Sequence, residues 1–142
     1  MEDRRRYQQP ITVTRADIDD LGHVNNAVYL RYVEDVARAH ADAVSMSLEV
    51  LRTLGAVPVV RRHIITYHRP ALEGEQLTVS TRLISASGVR ATRHNEVRRT
   101  SDNALLAEAD TEWVWVNPAS GRPRPVPLEV MQAFGMLESD PA

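Results

Sequence analysis

Residues 26–44, NAVYLRYVEDVARAHADAV, decide the fold. Mostly apolar side chains recur here at the three- and four-residue spacing of an amphipathic helix. These side chains are Tyr29, Tyr32, Val33, Val36, Ala37, His40, Ala43 and Val44. Asn25 or Asn26 is a suitable N-cap just before them. The sequence therefore predicts one long helix with an apolar face that another layer must cover.

Strand patterns lie on both sides of this helix. Residues 8–16 alternate apolar and polar side chains, as a half-buried strand does. Four more strand-like segments follow, at residues 57–70, 76–87, 89–100 and 104–117. In the last segment one face is predicted to hold Leu105, Ala107, Ala109, Thr111, Trp113 and Trp115. The order predicts an α+β fold, in which an antiparallel five-stranded sheet wraps around one long helix.

Shorter helices are expected at residues 48–54, ending near Gly55, and in the terminal stretch PLEVMQAFGML. The chain has 142 residues and no linker-like tract, so we expect a single domain, residues 1–142. The sequence shows neither a secretory leader nor an apolar run of membrane-spanning length, which predicts a cytoplasmic protein without a membrane partner.

Composition excludes several kinds of chemistry. The chain has no cysteine, so a disulfide, a thiolate metal site and a cysteine nucleophile are all excluded. All 17 basic residues are arginine, and without lysine a Schiff-base mechanism is excluded as well. A formal net charge of -2 gives no reason to expect nucleic acid as a partner.

Three carboxylates, Asp17, Asp19 and Asp20, stand just before Gly22, His23 and the start of the helix. A helix N-terminus presents unpaired N–H groups and a partial positive charge, which can polarise a carbonyl group. A carboxylate beside it can attack that carbonyl or activate water. From the residues alone, a simple capping role for these acids is the more favoured alternative.

Metal binding is a third interpretation of this loop. The pattern D-x-D-x-x-G imitates the start of a calcium-binding loop, but Leu21 and Val28 occupy two of the positions where that loop needs ligands. His63 and His68 are predicted on opposite faces of a strand and form a poor metal pair. We therefore expect no metal ion or cofactor.

Residues 15–38, RADIDDLGHVNNAVYLRYVEDVAR, resemble the signature of the 4-hydroxybenzoyl-CoA thioesterase family, in the acyl-CoA thioesterase branch that carries GHVNN. The matching positions are Arg15, Asp17, Asp19, Gly22, His23, Val24, Asn25, Asn26, Tyr29, Tyr32 and Glu34. Residues 67–77, YHRPALEGEQL, and residues 121–127, GRPRPVP, resemble later turns of the family. The resemblance thus covers nearly the whole chain.

The resemblance implies a hot-dog fold and hydrolysis of an acyl-CoA, or of an acyl group on acyl carrier protein, to the free acid. It places the catalytic carboxylate, nucleophile or general base, at Asp19. The carbonyl-polarising N–H falls around Asn26. His23 either orients Asp19, contacts the substrate or belongs to the scaffold. Predicted substrate contacts are Asp17, which also fits as a loop organiser, together with Gly22, Asn25, Tyr29 and Arg69.

Some members of the family carry their carboxylate on the central helix, which makes Glu34 the reserve catalytic candidate. A favourable i,i+4 pair with Arg38 supports a structural role for Glu34 instead. The resemblance also implies a homodimer, or a tetramer built from dimers. The candidates for binding CoA phosphates are Arg61, Arg62, Arg69, Arg90, Arg93, Arg98 and Arg99, although each is more readily explained as a solvated strand residue.

Two other functions stay open at this point. A hydratase or dehydratase on the same fold needs an acid/base pair, for which Asp19 and His23 are available. A non-catalytic acyl-CoA-binding protein is the other alternative, because fold does not fix function.

Overall fold

The computed structural model describes residues 3–137. Five strands and three helices make up the fold. The strands are β1 (Arg6–Thr12), β2 (Val57–Tyr67), β3 (Gln76–Ser87), β4 (Arg90–Arg99) and β5 (Leu105–Val116). The helices are α1 (Asn26–Ala43), α2 (Leu48–Leu54) and α3 (Leu128–Ala133). Among residues 3–137, no helix combines the length and apolar character that a membrane crossing requires.

The five strands form one antiparallel sheet in the order β1-β3-β4-β5-β2. Helix α1 packs mainly against β1 and β3. Its buried side chains are Tyr29, Tyr32, Val33, Val36, Ala37 and His40. The predicted α+β architecture, a sheet around one long helix, is confirmed.

Local rules account for the ends of α1. The Asn25 side chain caps the helix by accepting a 2.9 Å hydrogen bond from the Ala27 N–H. The helix ends at Ala43, and Val44 is its C-cap. Ala43 is exposed, so its placement on the apolar face was wrong; the buried stripe of α1 ends at His40, and Val44 is half-buried.

Strand β1 begins and ends earlier than the alternation predicts. The predicted strand continued to residue 16, but after Thr12 the chain enters a 3-10 turn at Arg15–Asp17. The Asp17 carboxylate accepts a hydrogen bond from the Thr14 N–H at 3.1 Å, which removes that donor from strand pairing. The turn therefore directs the chain out of the sheet and toward the helix.

The predicted face of β5 is correct except at its start. Leu105 pairs with Arg98 and Ala107 pairs with Val97, so one extra residue, Leu106, stands between the two pairs. This irregularity exchanges the buried and exposed faces of β5 for the residues before Ala107. Leu106 is fully buried, and Leu105 is only half-buried.

A buried polar cluster ties α1 to the sheet. The Arg93 Nη1 donates to His40 Nδ1 at 2.9 Å and to Thr81 Oγ1 at 3.1 Å. His40 Nε2 lies 2.6 Å from the Arg4 carbonyl oxygen. Burial first, and Arg93 second, lower the pKa of His40 to about 4. His40 is therefore neutral at pH 7, accepting at Nδ1 and donating from Nε2.

Acid should destabilise the protein through His40. Its pKa is about 4 in the fold and about 6.5 in an unfolded chain, so the unfolded state binds more protons between these values. The free energy of unfolding should therefore fall as the pH drops through this window, by on the order of 3 kcal/mol from this residue. Urea unfolding at pH 7, 5.5 and 4 measures the effect. His40→Gln should show a shallower loss, and equal slopes for the two proteins would contradict the prediction.

Candidate active site

The predicted catalytic loop folds as a small hairpin before α1. The Asn25 N–H donates to the Asp17 carbonyl oxygen at 2.8 Å, and the Asp19 N–H donates to the His23 carbonyl oxygen at 2.8 Å. At the tip, the Gly22 N–H donates to the Asp19 carbonyl oxygen at 3.1 Å. These bonds hold Asp19 at a fixed place beside the helix start.

Gly22 is explained by this turn. Its φ is 80°, a left-handed value that favours glycine. A Cβ added there would meet nothing within 4 Å, so no neighbouring protein atom requires the absence of a side chain. The structure thus gives Gly22 a conformational role, and its predicted contact with substrate stays a prediction.

The Asp19 carboxylate is held at one oxygen. Oδ1 accepts hydrogen bonds from the Leu21 N–H at 2.9 Å and the His23 N–H at 3.3 Å. Within residues 3–137, Oδ2 accepts none. The side chain is half-buried. The carboxylate is therefore oriented by its own loop and keeps one oxygen available for chemistry.

Asp17 has a different environment. It is 5% exposed, and its Oδ2 accepts from the Thr14 N–H and hydroxyl and from the Tyr32 hydroxyl at 3.0 Å. Its Oδ1 accepts from Arg31 at 2.6 Å. Burial would raise the pKa of Asp17, but hydrogen bonds from Thr14, Arg31 and Tyr32 outweigh it and hold the pKa below the usual value. Asp17 organises the loop.

The start of α1 offers an open donor. The Asn26 N–H has no acceptor among the described residues, because the Asn25 cap serves Ala27 instead. The Asn26 carbonyl oxygen accepts a 2.9 Å hydrogen bond from the Tyr67 hydroxyl, which anchors the helix start on β2. This amide lies at the positive end of the helix.

A second loop packs against the hairpin. The Val24 N–H donates to the Ala71 carbonyl oxygen at 2.9 Å, and the Ala71 N–H donates to the Tyr29 hydroxyl at 3.1 Å. Tyr29 is 2% exposed, so the structure places it behind the loop in the core. Arg69, two residues before Ala71, is exposed, and in the described part of the chain its side chain forms no ion pair.

His23 contacts Asp19 through its main chain, and Glu34 contacts a residue of β2. His23 reaches Asp19 only through backbone atoms, and its ring makes no hydrogen bond to residues 3–137. Glu34 does not pair with Arg38. Its Oε1 lies 3.4 Å from His63 Nε2, and His63 Nδ1 lies 2.8 Å from Thr111 Oγ1. The i,i+4 expectation was wrong because a strand residue lies closer to this carboxylate.

Four of the candidate arginines lie in two contrasting environments. Arg61, Arg62 and Arg90 converge on Glu112, at 3.1, 3.8 and 3.2 Å. The three arginine side chains are exposed, the Glu112 side chain is largely buried beneath them, and the group holds three cations for one carboxylate. Arg93 is 7% exposed, so the expectation of a solvated strand residue is wrong for it.

Sequence reasoning missed a cavity of about 350 Å³ between the helices and the sheet. We call it the helix–sheet cavity. Its walls include Glu34, Ala37, Leu51, Arg93, Trp113, Trp115, Val130 and Phe134. The alternation of Trp113 and Trp115 in β5 was the available signal, but the helices that complete the cavity come from distant parts of the chain.

The profile of the thioesterase-like superfamily matches residues 13–134. The chain belongs to this superfamily. The predicted hot-dog fold is confirmed, and so is the predicted enzyme class, a thioester hydrolase. The match includes the hairpin, α1, strands β2 to β5 and most of the wall of the helix–sheet cavity, and it begins directly after β1.

This thioesterase-like chain is 26% identical over 128 residues to the acyl-CoA thioester hydrolase YbgC of Escherichia coli, covering 90% of this chain and 95% of the relative. A 1,4-dihydroxy-2-naphthoyl-CoA thioesterase from Synechocystis has the same fold, with a TM-score of 0.84 at 22% identity, over 95% of this chain and 99% of the other. A thioesterase complexed with coenzyme A and Zn from Thermus thermophilus has a TM-score of 0.76 at 28% identity, over 89% of this chain and 95% of the other.

Proposed function

We propose that this thioester hydrolase cleaves an acyl-CoA to a free acid and CoA, with Asp19 as its catalytic carboxylate. The observation that carries the proposal is the hairpin before α1. It joins a carboxylate that keeps one oxygen open to a helix start with an open N–H at Asn26. A carboxylate that acts as nucleophile or base and a donor that stabilises the oxyanion can together catalyse thioester hydrolysis.

The chemistry has two routes on this geometry. In one, Asp19 Oδ2 attacks the thioester carbon, the C–S bond breaks, CoA leaves as thiolate, and water then hydrolyses the mixed anhydride. In the other, Asp19 takes a proton from water, the water oxygen bonds to the carbon, and the proton passes to the departing sulfur. In both routes the Asn26 N–H stabilises the oxyanion.

CoA as the carrier is supported by the names of the relatives. One is an acyl-CoA thioester hydrolase, and another was solved with coenzyme A. Arg69, exposed beside the hairpin, and the three arginines around Glu112 are the cations that we assign to the carrier phosphates. Acyl carrier protein is the alternative carrier.

We also propose that the protein works as a homodimer or a tetramer of dimers. Strand β2 is an edge of the sheet, and it is 11 residues long. Long unpaired edges need to be covered, and pairing with a second copy is one way of doing so. Size-exclusion chromatography with light scattering tests this proposal, and a monomer at micromolar concentration would contradict it.

The function is tested by following free CoA thiol during incubation with a panel of acyl-CoAs. Steady release is expected. The hydratase alternative predicts an absorbance change with 2-enoyl-CoA and no thiol, and the binding-protein alternative predicts affinity without turnover. Either pattern, in place of thiol release, would overturn the proposal.

The reserve role of Glu34 has its own test. Glu34→Gln should keep kcat/KM within roughly tenfold of wild type, because Glu34 pairs with His63 and not with the hairpin. The measurement is the same thiol assay, run beside Asp19→Asn. A loss of more than about 100-fold in Glu34→Gln, with Asp19→Asn still active, would move the catalytic role to Glu34.

A further inference from the structure

The helix–sheet cavity is shaped for an apolar ligand. Its walls include Leu51, Trp113, Trp115 and Phe134. Its volume of about 350 Å³ lies within the range of small-molecule sites in proteins. A hydrocarbon chain is the kind of group that such walls bind.

One buried cation belongs to this wall. Arg93 is 7% exposed, and its guanidinium carbon lies 5.4 Å from the centre of the Phe134 ring. Its Nη1 donates to His40 and Thr81, but both partners are neutral at pH 7. The Nε and Nη2 atoms donate to no residue in the described part of the chain. Burial lowers the pKa of Arg93 only to about 10, so the positive charge is kept.

No nearby carboxylate balances this charge within residues 3–137. The other charged residues that line the cavity are Glu34, Arg38 and Asp42, and all three are exposed. In the described part of the chain, neither Glu34 nor Asp42 forms an ion pair with Arg93. A buried charge without a counter-charge is unfavourable, and a guanidinium group pairs best with a planar carboxylate. The Arg93 guanidinium group thus has no carboxylate partner in the described part of the chain.

We propose that the helix–sheet cavity binds an apolar chain that ends in a carboxylate, and that Arg93 receives this carboxylate. Two sources share this chemistry. One is the distal carboxylate of a dicarboxylic acid that is bound as its CoA monothioester; this source rests on the proposed function and narrows its substrate class. The other is a free fatty acid, whose binding does not depend on hydrolysis.

Tryptophan fluorescence tests the binding directly, because both tryptophans of the chain line the cavity. Wild-type protein is titrated at pH 7.5 with dodecanoate and with methyl dodecanoate, which differ in charge and share the chain. A saturable change is expected with dodecanoate, with an affinity at least about tenfold above that of the ester. Equal affinities, or no change with either probe, would overturn the proposal.

Two variants test whether the preference for dodecanoate over its ester depends on Arg93. Arg93→Met should lose the preference for dodecanoate over the ester, and a retained preference would refute the role of Arg93. Arg82→Met makes the same change on the neighbouring strand β3, at an exposed side chain, and should keep the preference. Replacing a buried ion with an apolar side chain is often tolerated. If Arg93→Met does not fold, the comparison of dodecanoate with methyl dodecanoate on wild-type protein decides whether the cavity prefers a carboxylate.

Hydrolysis assays separate the two sources. If the dicarboxylic thioester is the ligand, wild type should hydrolyse dodecanedioyl-CoA with a kcat/KM at least about tenfold above that for dodecanoyl-CoA, and Arg93→Met should lose this difference. If a free acid is the ligand, only the fluorescence preference appears. If the proposed function is wrong, neither thioester releases thiol. The fluorescence titration still tests binding of the carboxylate in that case.

Discussion

Asp19→Asn is expected to lower kcat/KM for acyl-CoA hydrolysis by at least about 100-fold. The amide oxygen of asparagine can still accept from the Leu21 and His23 N–H groups, so the hairpin should persist. An amide is neither a useful nucleophile nor a base at neutral pH. Free thiol release gives the rate, and thermal unfolding should show a change in stability within about 1 kcal/mol.

The matched control for this variant is Asp20→Asn. Asp20 is the next residue and carries the same charge, but it is exposed. Its substitution should leave kcat/KM within roughly threefold of wild type. Near-normal hydrolysis by Asp19→Asn, or equal losses in the two variants, would remove Asp19 from the mechanism.

Asp17→Ala is expected to have the largest effect on stability. The carboxylate accepts from four donors, on Thr14, Arg31 and Tyr32, and the substitution leaves the Tyr32 hydroxyl buried without its partner. Removing one side of such a buried, charge-assisted group should lower the free energy of unfolding by about 3 kcal/mol. Chemical denaturation at pH 7 measures this value.

Arg31→Met is the control for Asp17. The Arg31 side chain is 56% exposed, so water can replace much of the ion pair, and a loss of at most about 1 kcal/mol is expected. If Asp17→Ala costs no more than Arg31→Met, the other hydrogen bonds of Asp17 do not stabilise the loop. In that case Asp17 would need a role other than loop organiser.

Much of the fold could be predicted because it depends on local signals. The period of α1 and its Asn25 cap are both readable within one stretch of chain. The end of β1 was not readable in this way, because it depends on where the Asp17 carboxylate finds donors. The shift at Leu106 depends on pairing with β4, which is a relation between strands that no single segment contains.

The buried face of β4 could not be predicted from alternation. Ala91, Arg93, Asn95 and Val97 face inward, but polar side chains occupy both faces of this strand. Alternation therefore gives no contrast between the two faces. Arg93 is inward because His40, 53 residues away, and Thr81, on the neighbouring strand β3, provide acceptors for its guanidinium group.

The position of the candidate site could be predicted from the sequence, but the separate roles of its three aspartates could not. Three aspartates before a helix predict capping as readily as catalysis. The structure assigns Asp17 to the capping box and leaves Asp19 with one open oxygen. Glu34 shows the limit of local rules, since its partner His63 lies 29 residues away.

The most direct test of the account is the product balance of wild-type protein with a panel of acyl-CoAs, followed by mass spectrometry. Hydrolysis predicts free CoA and free acid in equal amounts, formed steadily and far above the rate without protein. CoA released without free acid would indicate acyl transfer to another acceptor. No CoA from any thioester in the panel, whether aliphatic, aromatic or dicarboxylic, would contradict the proposed function.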